Sequence, residues 1–316
     1  MTPRTVIVEA SARLHFGLLD LRGALGRRFG GIGASAPGVG VRIAVSAANI
    51  VRAEGPDASR AQTFARLALA RLGVGPGVDI RVERAIPPHS GLGSGTQLAL
   101  SVARGIAELH GIDVTPLDLA RAVGRVQRSA VGTWTFAGGG FVVEGGRRGD
   151  AADGGPLLTR LPFPPDWRCV LALPNAEPGM SGAAEAEAFA DLAAPDEREA
   201  ERVSYLVLMA MLPALVEGDL ATFGRALTEV QEINGRWFAR AQGGTYAAGQ
   251  STEIVALMRD ANAPGVGQSS WGPAVYAIVE GDAEADALRE RIRAAFDDVV
   301  VHTGSFPMHG ATVTRE

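Results

Sequence analysis

Pro87-Pro88-His89-Ser90-Gly91-Leu92-Gly93-Ser94-Gly95-Thr96-Gln97 is the stretch whose reading decides the rest of the chain. The run before it, VDIRVERAI at residues 78–86, has the alternation of a strand. The run after it, residues 98–110, has the spacing of a helix. Three glycines alternate with small or polar residues at the junction. Glycine lets a backbone approach an anion closely, and a helix N-terminus adds free N–H groups and a positive dipole end. Ser94 and Thr96 can cap that helix or bind phosphate oxygens or a metal. Two readings stay open from the loop alone: a phosphate cradle, or a glycine-rich turn with Ser94 or Thr96 as an ordinary N-cap. A Walker A loop is excluded, because no Gly-Lys-Ser/Thr follows. The dinucleotide fingerprint is excluded by its different glycine spacing.

The chain around this loop has 316 residues, enough for two domains, with 47% apolar and 21% charged residues. No apolar run reaches transmembrane length, and the first residues lack the apolar segment and cleavage site of a signal peptide. A cytoplasmic, membrane-free protein is expected. The single cysteine, Cys169, excludes an internal disulfide and reads as a small core hydrophobe. A net charge of −5 argues against a general nucleic-acid binder. All 30 basic residues are arginine. Any polyanion must therefore be held by Arg, backbone N–H, His or a metal, without lysine.

Working toward the N-terminus, residues 5–10 alternate as a strand and run into SARLHFGLLD at 11–20. A strand places Arg13 and His15 on one face and Leu14 and Phe16 on the other. The polar face is either solvated or functional. Arg22, Arg27 and Arg28 follow, in what reads as a glycine-rich loop ending Gly30-Gly31-Ile32-Gly33. Residues 39–45 predict a strand. Residues 57–72 predict a helix with Phe64, Leu67, Ala68 and Leu72 on one stripe.

Toward the C-terminus, Thr115-Pro116 predicts the N-cap and first position of a helix to about Gln127, and His110 a helix C-terminal dipole partner. Residues 131–146 read as a hairpin turning at Gly138-Gly139-Gly140, either a tight turn or a place where a ligand passes the backbone. Residues 150–165 read as a linker, which divides the chain into domains 1–165 and 166–316. In the second, 167–174 predicts a strand, 177–194 a flap, 199–216 and 219–240 two helices, and Ser251 the cap of a helix to 261. A small-residue loop at 264–273 leads into a strand at 274–279, followed by a helix at 282–296 and a last strand at 299–301. No two-histidine zinc spacing is present.

Pro88-x-x-Gly91-Leu92-Gly93-Ser94 resembles the central motif of the GHMP kinase superfamily. Those kinases usually continue Ser-Ala or Ala-Ala, whereas this chain continues Gly95-Thr96-Gln97. GLGSGTQLAL at 91–100 resembles the β-ribofuranosylaminobenzene 5′-phosphate synthases, a branch that phosphorylates nothing. SARLHFGLLDLRGALGRRFGGIG at 11–33, RSAVGTWTFAGGGFVVEGG at 128–146 and GVGQSSWGP at 265–273 resemble the same branch. Together the four stretches span nearly the whole chain.

The resemblance implies a two-domain α/β (α+β) fold. Its N-terminal half is like ribosomal protein S5 domain 2 and its C-terminal half ferredoxin-like, with the site between. It also implies a homodimer. The implied reaction condenses 5-phosphoribosyl-1-pyrophosphate with 4-aminobenzoate or 4-hydroxybenzoate, losing carbon dioxide and pyrophosphate, on the way to tetrahydromethanopterin. Gly91, Gly93, Ser94, Gly95, Thr96 and Gln97, the loop Gln268-Ser269-Ser270-Trp271, and Arg13, Arg27, Arg28 and Arg128 are then expected to hold the phosphorylated substrate. Mg²⁺ is the expected cofactor, with Asp20 as its ligand or as a carboxylate facing the anomeric centre. The expected catalytic residues are His15, as an acid–base or hydrogen-bonding group near the leaving group or the para substituent, Asp20 and Arg28. Trp134, Trp237, Phe238, Tyr246 and Trp271 are available for an apolar pocket, about half of them touching ligand and the rest in the core. Two other functions compete. An ATP-dependent small-molecule kinase of the same fold would bind ATP in the glycine loop, which Gln97 is expected to crowd. A sugar-phosphate sensor would bind without turnover.

Overall fold

The structure, a computed structural model, describes residues 5–125, 129–149, 154–175, 187, 192 and 194–316. Two mixed α/β layers are built around two sheets. The first is founded on a long antiparallel pair, β1 (Thr5–Asp20) and β2 (Arg27–Ala48). β2 pairs further with β4 (Gly77–Arg84), and β3 (Arg52–Glu54) lies parallel at that edge. Its other half pairs with β5 (Phe141–Glu144) and β6 (Arg147–Arg148). β7 (Leu157–Leu161) pairs with β5. The segment Gly30–Gly33, read as a loop, lies inside β2. Small residues there let Val131 and Glu144 pack directly on the strand: a Cβ on Gly31 would stand 2.8 Å from Val131 Cγ2 and 2.9 Å from Glu144 Oε1.

Against this sheet pack α1 (Ala58–Leu72) and α2 (Ser94–Leu109). Their buried faces, including Phe64, Ala68, Leu69, Leu98, Val102 and Ile106, meet Val6, Val8, Ile43, Val45 and Ile80. Leu67 is exposed, so the stripe of α1 runs through Ala65 and Leu69 instead. α3 (Pro116–Ala122) begins with Thr115 as N-cap and Pro116 at the first position, as the sequence predicts, but stops at Ala122. His110 is the C-cap residue of α2.

The expected hairpin at 131–146 is instead a helix, α4 (Val131–Gly138), turning into β5. The alternation of large apolar and small residues in VGTWTFAG suits a buried short helix as well as a strand. Gly139 and Gly140 both have positive φ. A Cβ on Gly139 would lie 2.5 Å from the His309 carbonyl oxygen, so the triple glycine receives the chain's own C-terminal segment rather than a ligand.

The second sheet has the order β11–β8–β10–β9, all antiparallel: β8 (Trp167–Pro174), β9 (Gly265–Gln268), β10 (Val275–Glu280) and β11 (Val299–Ser305). A continuous helical rod crosses it as α5 (Glu197–Leu206), a π-turn (Val207–Met211) and α6 (Leu212–Glu217). Pro213, at the second position of α6, lacks the N–H that an unbroken helix needs there, which suits a wider turn just before it. α7 (Leu220–Gln242), α8 (Gln250–Asp260) and α9 (Gly281–Ala295) complete the layer. Ser251 is not the cap of α8; its hydroxyl donates to the Pro273 carbonyl at 2.9 Å. Cys169 is fully buried, and burial pushes its thiol pKa far up, as a core hydrophobe requires.

One aromatic core binds the layers. Phe16 and Phe141 of the first sheet meet Phe163, Trp167, Phe223 and Tyr276 of the second unit. A last strand, β12 (Thr312–Arg315), returns to pair with β1, and Arg315 bonds the Glu108 carboxylate of α2. The sequence reading missed this strand. The proposed flap at 177–194 falls almost wholly outside the described residues.

Candidate functional site

The two glycine loops meet over β1. Arg13 and His15 sit on the polar face that the alternation of β1 predicts, and the backbone N–H of Arg13 donates to Leu92 O at 3.0 Å. The Arg13 guanidinium donates to Gly91 O. Ser269, fully buried, ties the three segments together: its Oγ accepts from the His15 backbone N–H at 2.9 Å and donates to Gly91 O at 2.8 Å. Gly91 has φ +81°, and a Cβ there would stand 2.2 Å from Ser269 O, so no side chain fits this contact.

A cavity of about 440 Å³ opens at this junction. One part of its wall is the N-terminal turn of α2, Gly93 to Thr96, with Arg13, Arg60 and Arg125 around it. A Cβ on Gly95 would come 2.5 Å from Arg60 Nη2 and 3.0 Å from Arg125 Nη2, so both guanidiniums lie directly over the helix start. Gly93 is the cap residue, and no side chain caps α2. Ser94 and Thr96 are therefore not N-caps; the Thr96 N–H bonds back to Gly93 O at 3.0 Å, while no side chain caps the N–H groups of Ser94 and Gly95, two residues that line the cavity. Another part of the wall is Leu18, Phe29, Phe238 and Trp271, with the amides of Asn234, Gln242 and Gln268. Phe238 and Trp271 meet edge to face at 4.8 Å. Asn234 reads the edge of β1, accepting from Leu18 N at 2.7 Å and donating to Leu18 O at 3.2 Å. Gln231 similarly donates to Phe16 O and accepts from Gln268 N at 2.8 Å. Among the described residues, no carboxylate lines the cavity.

His15 is buried, and its Nε2 lies 3.0 Å from Ser129 Oγ. Burial, helped by the Arg13 charge, lowers its pKa to about 3, so the ring is neutral at ordinary pH. Behind it, Glu144 is completely buried on β5. Burial raises its pKa to about 7 against the pull of hydrogen bonds from Gly146 N, Ala130 N and Ser129.

Of the expected site residues, Arg13, His15, Gly91, Gly93, Ser94, Gly95, Thr96, Gln268, Ser270 and Trp271 line the cavity. Ser269 supports it from beneath. Gln97 does not crowd the loop: its buried side chain turns into α4 and donates to Gly132 O at 3.0 Å. Asp20 and Arg28 bond within the β1–β2 connection, and Arg27 ties the start of β2 to the turn after β5. Asp20 accepts from Arg22 N at 2.6 Å and Gly23 N at 3.3 Å, Arg27 donates to Gly146 O at 2.9 Å, and Arg28 donates to Leu21 O at 3.1 Å. Trp134 points away, donating to Gly155 O at 2.8 Å. Trp237 donates to Glu199 at 2.7 Å, and Tyr246 is buried with Arg259 on its hydroxyl. Arg128 lies outside the described residues. Arg60, Asn234 and Gln242 were not picked out as site residues, because their positions in helices carry no local motif, and His89 was passed over as a variable position of the glycine-loop motif.

The residues do not fit a protein-held magnesium ion. Asp20 is occupied by backbone N–H groups, and among the described residues no three His, Cys, Asp or Glu side chains gather. No helix among them is long and apolar enough to cross a membrane.

The family of GHMP kinases N terminal domains matches residues 59–140, and that of GHMP kinases C terminal domains matches 211–298. The chain is 34% identical to the beta-ribofuranosylphenol 5′-phosphate synthase of Methanothermobacter thermautotrophicus, over 87% of this chain and 89% of that protein. It is also 34% identical to the synthase of the same name from Archaeoglobus fulgidus, over 87% and 88%. Among solved structures, homoserine kinase from Cytophaga hutchinsonii superposes with a TM-score of 0.74 at 17% identity, covering 99% of this chain and 98% of that one.

Proposed function

Because the chain belongs to the beta-ribofuranosylphenol 5′-phosphate synthase family, built on the GHMP kinase fold, we propose that it joins 5-phosphoribosyl-1-pyrophosphate to a 4-substituted benzoate with loss of carbon dioxide and pyrophosphate. The acceptor is 4-hydroxybenzoate or 4-aminobenzoate; the relatives' name denotes the phenol that the first would yield. The observation that carries this reading is the two-sided cavity. Arginines and a helix N-terminus, with no carboxylate among the described residues, make one part of its wall, and aromatic side chains with amides make another.

Each part has a task. Arg13, Arg60, Arg125 and the first turn of α2 hold the phosphorylated sugar and neutralise the departing pyrophosphate. As the bond to the anomeric carbon breaks, positive charge develops on the ribose. The ring carbon bearing the carboxylate attacks that centre. Phe238 and Trp271 favour loss of the carboxylate charge as carbon dioxide, which restores aromaticity. Asn234, Gln242 and Gln268 hold this wall in place, Asn234 through the Leu18 backbone and Gln268 through Gln242, Ala247 N and Ser270 O. No step is derived through magnesium. A cytoplasmic homodimer serving tetrahydromethanopterin synthesis remains our proposal for the setting.

The test is release of labelled carbon dioxide from carboxyl-labelled 4-hydroxybenzoate and, separately, 4-aminobenzoate. Each is mixed with phosphoribosyl pyrophosphate and Mg²⁺, with and without ATP. Release that requires the sugar and ignores ATP is expected. Absence of release with both benzoates, or dependence on ATP, overturns the reading.

A further inference from the structure

Glu144 lies outside the cavity lining, yet its surroundings are built around it. Its Oε1 accepts from Ala130 N at 3.2 Å and its Oε2 from Gly146 N at 2.8 Å. A Cβ on Gly155 would stand 1.7 Å from Oε2, and one on Gly31 2.9 Å from Oε1. Two glycines thus leave room for this carboxylate. Ser129 hydrogen-bonds to it, and the Ser129 Oγ also accepts from Val131 N at 3.2 Å. A serine hydroxyl has one proton and two lone pairs. With one lone pair taken by Val131 N–H and the proton directed to Glu144, the other lone pair faces His15 Nε2 at 3.0 Å. His15 must then carry its proton on Nε2, leaving Nδ1 as an acceptor.

We propose that Glu144 and Ser129 are positioning residues that form a proton relay with His15, fixing its tautomer and making Nδ1 the group that receives the proton of the acceptor's para substituent. The relay rests on the reaction proposed above. The charges around it explain its form. Arg13 stands beside His15, and Arg60, Arg125 and His89 line the same cavity. A buried imidazolium among them is costly. Around Glu144 the facing charge is Arg27 from the start of β2, with His15 reached through Ser129. Passing the proton on leaves His15 neutral.

The steps balance. The para O–H bond breaks and its proton binds Nδ1, while the Nε2 proton moves to Ser129 Oγ and the Ser129 proton moves to the Glu144 carboxylate. The oxygen's electron pair enters the ring as the carbon bearing the carboxylate bonds to the anomeric carbon, and pyrophosphate leaves with its own pair. Carbon dioxide departs, its bonding pair restores the ring, and the phenolate oxygen takes the proton back along the reversed relay. No proton is gained or lost. A carboxylate that titrates near pH 7 is suited to such an exchange.

Two measurements decide it. In the wild-type protein, ¹⁵N spectra of the His15 ring are expected to show the Nε2–H tautomer above neutrality, turning toward Nδ1–H as Glu144 takes up a proton at about pH 7. In kinetics, the wild type is expected to show a rise in kcat/KM through neutrality, and Glu144→Gln and Ser129→Ala are expected to remove it and to lower kcat on the order of a hundredfold. Ser129→Ala covers the case in which the buried amide of Glu144→Gln prevents folding, and the spectra need no variant. A wild-type ring held as Nδ1–H above neutrality overturns the relay, as do variants that keep the wild-type profile. If neither benzoate releases carbon dioxide, the reaction reading fails, while the His15 tautomer still decides the relay.

Discussion

At the scale of single residues, the site is held by groups whose charge is suppressed or shared. His15 shows the cost. In the unfolded chain its pKa is 6.5, and in the folded protein burial and Arg13 lower it to about 3. Below 6.5 the unfolded state therefore binds a proton that the folded state refuses, so stability falls as pH falls from 6.5 toward 3 and is unaffected by this group at higher pH. At about pH 5 the penalty is about 2 kcal/mol. Urea unfolding of the wild type and His15→Gln across this range measures it. The wild type is expected to lose about that much more than the variant between neutrality and pH 5, and equal slopes would show that His15 is not held neutral. This property was partly legible in advance. Alternation put Arg13 and His15 on one face of β1, but no local signal reveals that Ser129, more than a hundred residues away, meets the ring.

At the scale of elements, the start of α2 and its glycine loop form one wall of the cavity, and the sequence marks both well. The strand, loop and helix order around residues 87–97 is what the composition predicts, and so is the N-cap at Thr115. What failed were readings in which one pattern serves two elements. Residues 131–138 are short, apolar and glycine-rich, so helix and strand are equally compatible until the chain's own C-terminus fills the triple-glycine notch. Asp20, Arg27 and Arg28 carry chemistry-bearing side chains, yet Asp20 and Arg28 bond backbone groups of the β1–β2 connection and Arg27 those of the turn after β5, partners that a sequence does not display. Arg60 was missed because it looks like any exposed helical arginine; only the fold brings it over Gly95. That placement makes Gly95→Ala informative. The new methyl meets only the far ends of Arg60 and Arg125, which can swing aside, and alanine favours a helix over glycine by up to about 1 kcal/mol. The variant is expected to keep or raise Tm while weakening phosphoribosyl pyrophosphate binding about tenfold, since displaced guanidiniums lose charge-assisted hydrogen bonds. Calorimetric titration beside thermal unfolding checks both halves. Unchanged affinity would remove these arginines from the binding site.

At the scale of the whole molecule, the rod formed by α5, the π-turn and α6 presents a face that leaves large apolar side chains exposed among the described residues. Tyr205, Leu208, Met209 and Val216 are 60%, 62%, 59% and 72% exposed, while Val203, Leu206, Val207 and Met211 on the opposite side enter the core. The spacing of three and four residues sets Tyr205, Leu208 and Met209 along one side of the rod, and Val216 is exposed beyond the π-turn on α6. Large apolar side chains aligned in this way mark contact surfaces more often than scattered ones do. A two-fold contact between copies would pair this stripe with itself. It would leave the cavity free, because none of the four lines it. The expected result is a dimer mass by light scattering for the wild type and a monomer mass for Leu208→Glu combined with Val216→Glu. Both sites are already solvent-exposed, so the variant's Tm measured as a monomer reports only the loss of the contact. A wild type that is monomeric throughout the accessible concentration range overturns the homodimer, and a variant that stays dimeric moves its interface elsewhere.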